Sequence, residues 1–244
     1  VLALTGLAIA AEGRQVRGML ICGIAIGLGV LAKGPAILLH VLPAALAAPL
    51  WAPHLARARL PSSKQWYAGV LGAVGLGAAI ALAWAIPAAF AGGPEFARDI
   101  FIGQSAGRMV ESFAHKRPIW WFAAWLPVLF LPWTVWPALW KAASGHGLAR
   151  IGGDAGLRLA LIWFAAATAA FSLISGKQLH YLLPEFPALA LITARVLSGA
   201  EVSANEPQRK PARIGAAAPR EGRNMISAAG FAAAPALFIF AAAL

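Results

Sequence analysis

Ser175–Pro184 reads SGKQLHYLLP, and it sets a lysine, a histidine and a tyrosine between two long apolar runs, Leu157–Ile174 and Leu182–Leu197. Polar side chains held between two apolar segments are costly in a bilayer and mark a functional position or an interface. Read as a helix, the stretch puts Lys177 and Tyr181 four residues apart on one face with His180 beside them. An ammonium and a phenolic hydroxyl are both donors, and a phosphate is an oxygen-rich acceptor, so that face suits an anion. The competing reading has Lys177 snorkelling to the headgroups and Tyr181 in an interfacial aromatic belt.

Composition makes the flanking runs membrane segments. Of 244 residues, 60% are hydrophobic and 12% charged, and the mean hydropathy is +0.72. A soluble domain carries roughly 25% charged residues, so the fold class expected is all-α: a polytopic transmembrane helical bundle. The net charge of +11 has its explanation in membrane topology and not in nucleic acid. The single cysteine, Cys22, lies in an apolar run and offers neither a disulfide framework nor a cysteine metal site.

Eight apolar segments are expected: Val1–Ala11, Gly18–Leu31, Ile37–Ala52, Trp66–Ala91, Ile119–Trp140, Leu157–Ile174, Leu182–Leu197 and Met225–Leu244. The first is shorter than the ~20 residues a span needs, so the chain reads as a fragment that lacks an N-terminal part. Pro43, Pro87, Pro127, Pro132 and Pro235 predict kinks. Residues 1–197 form the bundle with its outer loops, 198–224 a flexible basic linker rich in Pro, Ala, Arg and Glu, and 225–244 a further span.

Loops rich in Lys and Arg stay in the cytoplasm. Alternate connections collect Arg14 and Arg17; Arg57, Arg59 and Lys64; Lys141, Arg150 and Arg158; and the five basic residues from Arg209 to Arg223, against six in the opposite set. The protein is therefore expected in the cytoplasmic (inner) membrane, with Lys33, Arg98, Arg108, Lys116, Arg117 and Lys177 on the outer, periplasmic face.

Two further outer elements accompany the opening stretch. In AKGP, Ala32–Pro35, the Gly-Pro pair ends one helix and starts the next, which holds Lys33 at the interface; His40, a turn into the following span, is read as structural. The longest outer connection, between Ala91 and Ile119, breaks at Gly92-Gly93-Pro94, and a short amphipathic helix is expected from Glu95, with Phe96, Ile100 and Phe101 facing the membrane. It continues to a basic group, Arg108, His115, Lys116 and Arg117, and the Trp120–Trp121 pair. That mixture suits a phosphorylated headgroup or a metal, for which Glu95, Asp99, Glu111 and His180 are the local partners of His115. A surface helix with an aromatic anchor is the alternative.

GLGVLAKGPAILLHVLPAAL (27–46), QSAGRMVESFAHKRPIWWFAAWLP (104–127) with its later LPW, and SGKQLHYLLPEFPALAL (175–191) together resemble the polytopic glycosyltransferases of the aminoarabinose transferase (lipid A) and protein mannosyltransferase superfamily. The resemblance implies an inverting transfer of a sugar from a polyprenyl-phosphate donor to a lipid A-like lipid, a glycan or a protein on the outer face. It assigns Lys177 and Tyr181 to the leaving lipid phosphate, with Lys33, Arg108 and Lys116 as further phosphate-binding residues. It also allows a divalent metal near His115, and no other cofactor is expected. The acidic base that such enzymes carry on the first outer loop would precede Val1, so no catalytic residue is assigned and the fragment alone is expected to be inactive. Outside the resemblance, a carrier of polyprenyl-linked sugars would need the same cationic site, although no carboxylate was read in mid-span to drive a proton-coupled cycle. A structural membrane subunit would use the outer polar residues only as anchors.

Overall fold

A computed structural model describes residues 1–101, 117–151, 153–174 and 176–204. The helices are α1 (Leu2–Ala11), α2 (Gln15–Lys33), α3 (Ile37–Leu46), α4 (Ala48–Trp51), α5 (Ser63–Arg98), α6 (Trp121–Leu129), α7 (Pro137–Ile151), α8 (Ala155–Leu173) and α9 (Phe186–Ala204). Four described stretches are long and apolar enough to cross a membrane: Gln15–Leu46, Ser63–Phe101, Ala155–Leu173 and Leu179–Ser198. The protein is an all-α, multi-pass membrane protein, and large side chains such as Leu71, Phe90 and Leu173 point outward as a lipid-facing surface requires. This architecture belongs to the unit Val1–Glu201; of the second unit, from Val202, only the end of α9 is described.

Contacts fix the direction of each leg. α1 and α2 are antiparallel and nearly touch at Gly6, where an added Cβ would stand 2.6 Å from the Gly18 carbonyl oxygen. Without a hydrophobic drive between helices in lipid, small residues that let backbones approach supply the attraction through van der Waals packing. α5 runs parallel to α2: Gly69 lies against Met19, Gly77 against Ile26 and Ile80 against Gly27. α3 returns antiparallel to α2, with Ile37 against Gly29 at one end and Ala45 against Trp66 at the other.

At the lower end, which carries Arg14, Arg57, Arg59 and Lys64, α3 leaves carbonyls without helical partners. Aromatic donors fill them: Trp51 Nε1 donates to Ala44 O (2.8 Å), Trp66 Nε1 to Ala45 O (2.9 Å) and Tyr67 Oη to Leu46 O (3.1 Å). Both indoles are buried, and burying an indole requires such a partner. Ser62 and Gln65 form a reciprocal capping box at the start of α5. Asp154 caps α8 through Leu157 N (2.9 Å) and pairs with Arg195 of α9 (3.2 Å).

Two sequence expectations change. The span read as Ile119–Trp140 is broken: α6 ends at Leu129 and α7 starts at Pro137, because Pro127, Pro132 and Pro137 remove amide donors within one short stretch, and Thr134 Oγ1 donates back to Pro127 O (2.7 Å). α3 stops at Leu46 rather than continuing to Ala52. In α5 the backbone leaves helical geometry at Gly93 (φ 82°), within the break expected at Gly92-Gly93-Pro94, and the chain continues in helical turns through Pro94 to Phe101 at a new angle. Glycine carries this left-handed φ without the cost other residues meet. Met225–Leu244 lies outside the described residues.

Candidate functional site

The upper end of the bundle is built around a second apolar cluster. Phe122 of α6, Phe171 of α8 and Leu182 are its buried centre, with Ala36, Leu39, Trp121, Ile174 and Tyr181 packed against them. This cluster joins the turn after Lys33, the segment that follows the long outer connection, and the stretch that contains Lys177 and Tyr181. Three segments distant in sequence thus meet on one apolar base, with their polar groups at its edge.

Lys33 ends α2 and is exposed; Gly34 follows in the left-handed region (φ 77°), which turns the chain into the short Gly34–Ala36 helix and then α3. Lys33 lies close enough to His180 for their charges to interact. His180 is exposed and stacks edge-on to Tyr181, with ring centroids 4.7 Å apart.

The helical reading of 175–184 needs correction. Lys177 and Gln178 are not helical, Gln178 being extended, and a 3₁₀ helix begins only at Leu179 and runs to Glu185. Lys177 and Tyr181 therefore do not share a helical face. Leu182 and Glu185, three apart, are both fully buried, as the three-residue period of a 3₁₀ turn dictates, which places Tyr181 beside the buried stripe.

Lys177 is buried to 3% exposure. Its Nζ donates to the carbonyl oxygens of Ile174 (2.6 Å) and Arg117 (3.0 Å). Burial lowers its pKa from the ordinary lysine value, because a covered ammonium loses hydration. An ammonium has three donor protons, so two carbonyls leave one for another acceptor. Tyr181 is half-buried between Phe171 (5.9 Å) and His180, and its hydroxyl makes no hydrogen bond among the described residues.

Arg108, Lys116 and His115, together with Glu111, lie outside the described residues. Glu95 and Asp99 are exposed on the turns after Gly93. Among the described residues no three His, Cys, Asp or Glu side chains group as metal ligands.

Sequence reading missed one polar contact. Glu185, immediately before α9, is fully buried, and its Oε1 stands 2.7 Å from Nδ1 of His40 on α3. The pair is close in distance but poorly aligned as a hydrogen bond, and Oε2 has no partner among the described residues. The carboxylate was visible in LLPEFPAL, inside the run read as a span, but its partner lies on a different leg of the bundle.

Comparison with known proteins now adds to this geometry. The chain is 29% identical over 199 residues to undecaprenyl phosphate-alpha-4-amino-4-deoxy-L-arabinose arabinosyl transferase 2 of Pseudomonas fluorescens (strain Pf0-1), covering 77% of this chain and 32% of that one. It is 31% identical over 183 residues to the corresponding transferase of Enterobacter sp. (strain 638), covering 73% and 30%. A second Pseudomonas fluorescens protein of that name, from strain Pf-5, is 30% identical over 211 residues, covering 80% and 32%. The chain is similar in sequence to these arabinosyl transferases, and it spans about a third of their length. No family model matches the chain, and no solved structure matches it.

Proposed function

We propose that the chain is the lipid-phosphate-binding part of a membrane glycosyltransferase that moves a sugar from a polyprenyl-phosphate donor to an acceptor on the outer face of the cytoplasmic membrane. The observation that carries this reading is the meeting of Lys33, Lys177 and Tyr181 at one end of the bundle, with a spare donor on Lys177 and another on Tyr181. The similarity to arabinosyl transferases whose names specify an undecaprenyl-phosphate donor supports the choice of ligand.

In the reaction, an acceptor hydroxyl forms a bond to the anomeric carbon while the bond from that carbon to the phosphate oxygen breaks. The electron pair of the broken bond leaves with the lipid phosphate, and the hydroxyl proton goes to a base. Lys177 and the Tyr181 hydroxyl hold the phosphate and stabilise the charge that grows on it; donors fixed in advance lower the barrier because they need no reorganisation. Lys33 adds positive charge at the rim. Arg108 and Lys116 extend the basic surface in the same reading, and His115 is kept as a metal-binding residue only on the sequence resemblance. The base is not assigned to a described residue.

The excess of Lys and Arg in the connections at the lower end supports a cytoplasmic lower end and a periplasmic site. The linker read from residue 198 then begins only after α9 ends at Ala204, with 205–224 cytoplasmic and 225–244 a further span. The acceptor is a lipid, a glycan or a protein hydroxyl, with a lipid favoured by the arabinosyl transferase similarity.

The test is transfer from a labelled polyprenyl-phosphate sugar in membranes that carry the complete gene product, comparing wild type with Lys177→Ala at matched protein levels. Transfer by wild type and its loss in the variant support the reading. A wild type that transfers nothing but moves the donor between leaflets replaces it with a carrier.

A further inference from the structure

The contact between His40 and Glu185 is the one place where buried ionisable groups of two described helical legs meet away from the phosphate-facing side chains. A fully buried carboxylate without a partner is expensive in protein and more so in a membrane. Its position therefore calls for a return beyond packing. Glu185 closes the 3₁₀ turn that starts at Leu179, and it stands at the N-terminal end of α9, where the helix dipole favours negative charge. His40 sits one turn into α3, just after the Lys33 reversal. Its ring lies 5.4 Å from Phe171, and Phe171 lies 5.9 Å from Tyr181. His40 thus touches the turn at both ends: through Nδ1 at Glu185, and through Phe171 at Tyr181.

We infer that His40 and Glu185 are positioning residues, a cross-helix clasp that sets the rotation of the Leu179–Glu185 turn and so holds the Tyr181 hydroxyl beside Lys177 and Lys33 for a lipid phosphate. The inference rests on the proposed phosphate site and adds two residues to it that do not touch the ligand. Nδ1 and Oε1 stand 2.7 Å apart, and this buried polar contact joins the two side chains. Removing either leaves the other buried without its partner, and the turn is then free to rotate about Leu182, whose apolar packing has no polar direction to enforce. A role in packing alone would instead lower the folded amount and leave the affinity of folded molecules unchanged.

The complete protein, reconstituted in lipid nanodiscs, is titrated with polyprenyl monophosphate, and affinity is expressed per folded molecule. His40→Leu and Glu185→Leu are each expected to weaken binding about tenfold, and the double variant no further than the weaker single, since partners in one contact are not additive. His40→Asn, which keeps a donor near the Nδ1 position, is expected to bind within about twofold of wild type, the range of substitutions that spare an interaction. Hydrogen exchange supplies a readout free of binding. In Glu185→Leu and His40→Leu the amides of Lys177–Leu182 are expected to exchange faster while those of Ala155–Ala160 do not. Unchanged affinity in both Leu variants, singles that multiply in the double, or exchange that rises uniformly along the chain each overturns the clasp. Wild type that binds no polyprenyl monophosphate, with exchange still localised to Lys177–Leu182, overturns the phosphate reading while leaving the mechanical link between the two residues in place. Should the Leu variants not fold, His40→Asn against Glu185→Ala decides: the first must keep wild-type affinity and the second must lose it.

Discussion

Lys177 and Arg117, sixty residues apart, are joined by one hydrogen bond, from the lysine Nζ to the arginine carbonyl oxygen at 3.0 Å. With the bond to Ile174 O, it makes Lys177 a clip between the end of the long outer connection and the end of α8. The ammonium proposed to hold a phosphate thus also joins these two segments.

Replacing Lys177 with Met is therefore expected to reduce both function and stability. Hydrogen bonds to a charged donor are each worth roughly 1.5–3 kcal/mol, and the loss of a phosphate donor in the transition state removes a factor of about 10²–10³ in transfer. Transfer assays at matched protein level, with thermal stability in the same membranes, separate the two. An unchanged transfer rate in Lys177→Met would remove the residue from the site.

Tyr181→Phe keeps the ring that packs on Phe171 and His180 and removes only the hydroxyl, which bonds to nothing among the described residues. Protein level and melting are expected to match wild type, while transfer falls about tenfold, the value of one donor to a charged acceptor. Equal transfer by the two proteins would make the hydroxyl a bystander.

The pH dependence follows from the direction of the Lys177 shift. Burial favours the neutral amine, so its pKa in the folded protein lies below the ordinary 10.5. The cation is complete at neutral pH and is lost as pH rises through that lowered value, before an exposed lysine would lose it. Polyprenyl monophosphate binding is thus expected to weaken on the alkaline side below pH 10.5 in wild type, and a titration in nanodiscs checks it. The stability effect has its own sign: the folded state binds this proton less tightly than the unfolded one, so the cost of burying the charge disappears as pH rises through the folded pKa.

Gly18→Leu tests the bundle itself. Its Cα faces Gly6 and Ala10 of α1 at backbone contact, so a branched side chain must separate the two helices. Overpacking of this kind costs about 1–3 kcal/mol or more, and loss of melting temperature or of membrane yield is expected. A fully stable variant would mean that α1 and α2 do not pack at Gly6 and Gly18.

Much of this arrangement can be read from residue order, and its limits have physical causes. Apolar run length, the Gly-Pro reversal after Lys33 and the alternation of basic connections give the legs of the bundle because each is a local property. The shape of the Lys177 stretch is not local: Gly176 lies before it and Pro184 within its turn, but the ammonium bonds to Arg117 O, a partner on another segment. The break between α6 and α7 was signalled by three prolines, yet a hydropathy window averages over them. Glu185 was in view, and only the fold shows that His40 meets it.

The closure of α3 by two indoles and a phenol has a consequence for how the protein responds to its surroundings. Neutral donors present no charge for ions to screen, unlike the solvent-accessible Asp154–Arg195 pair nearby, whose attraction weakens as the Debye length shrinks from about 8 Å at physiological salt to about 3 Å at 1 M. The lower end therefore holds together by bonds indifferent to ionic strength. High salt should loosen the tie between the start of α8 and α9 while the seam joining α3, α4 and α5 stays shut.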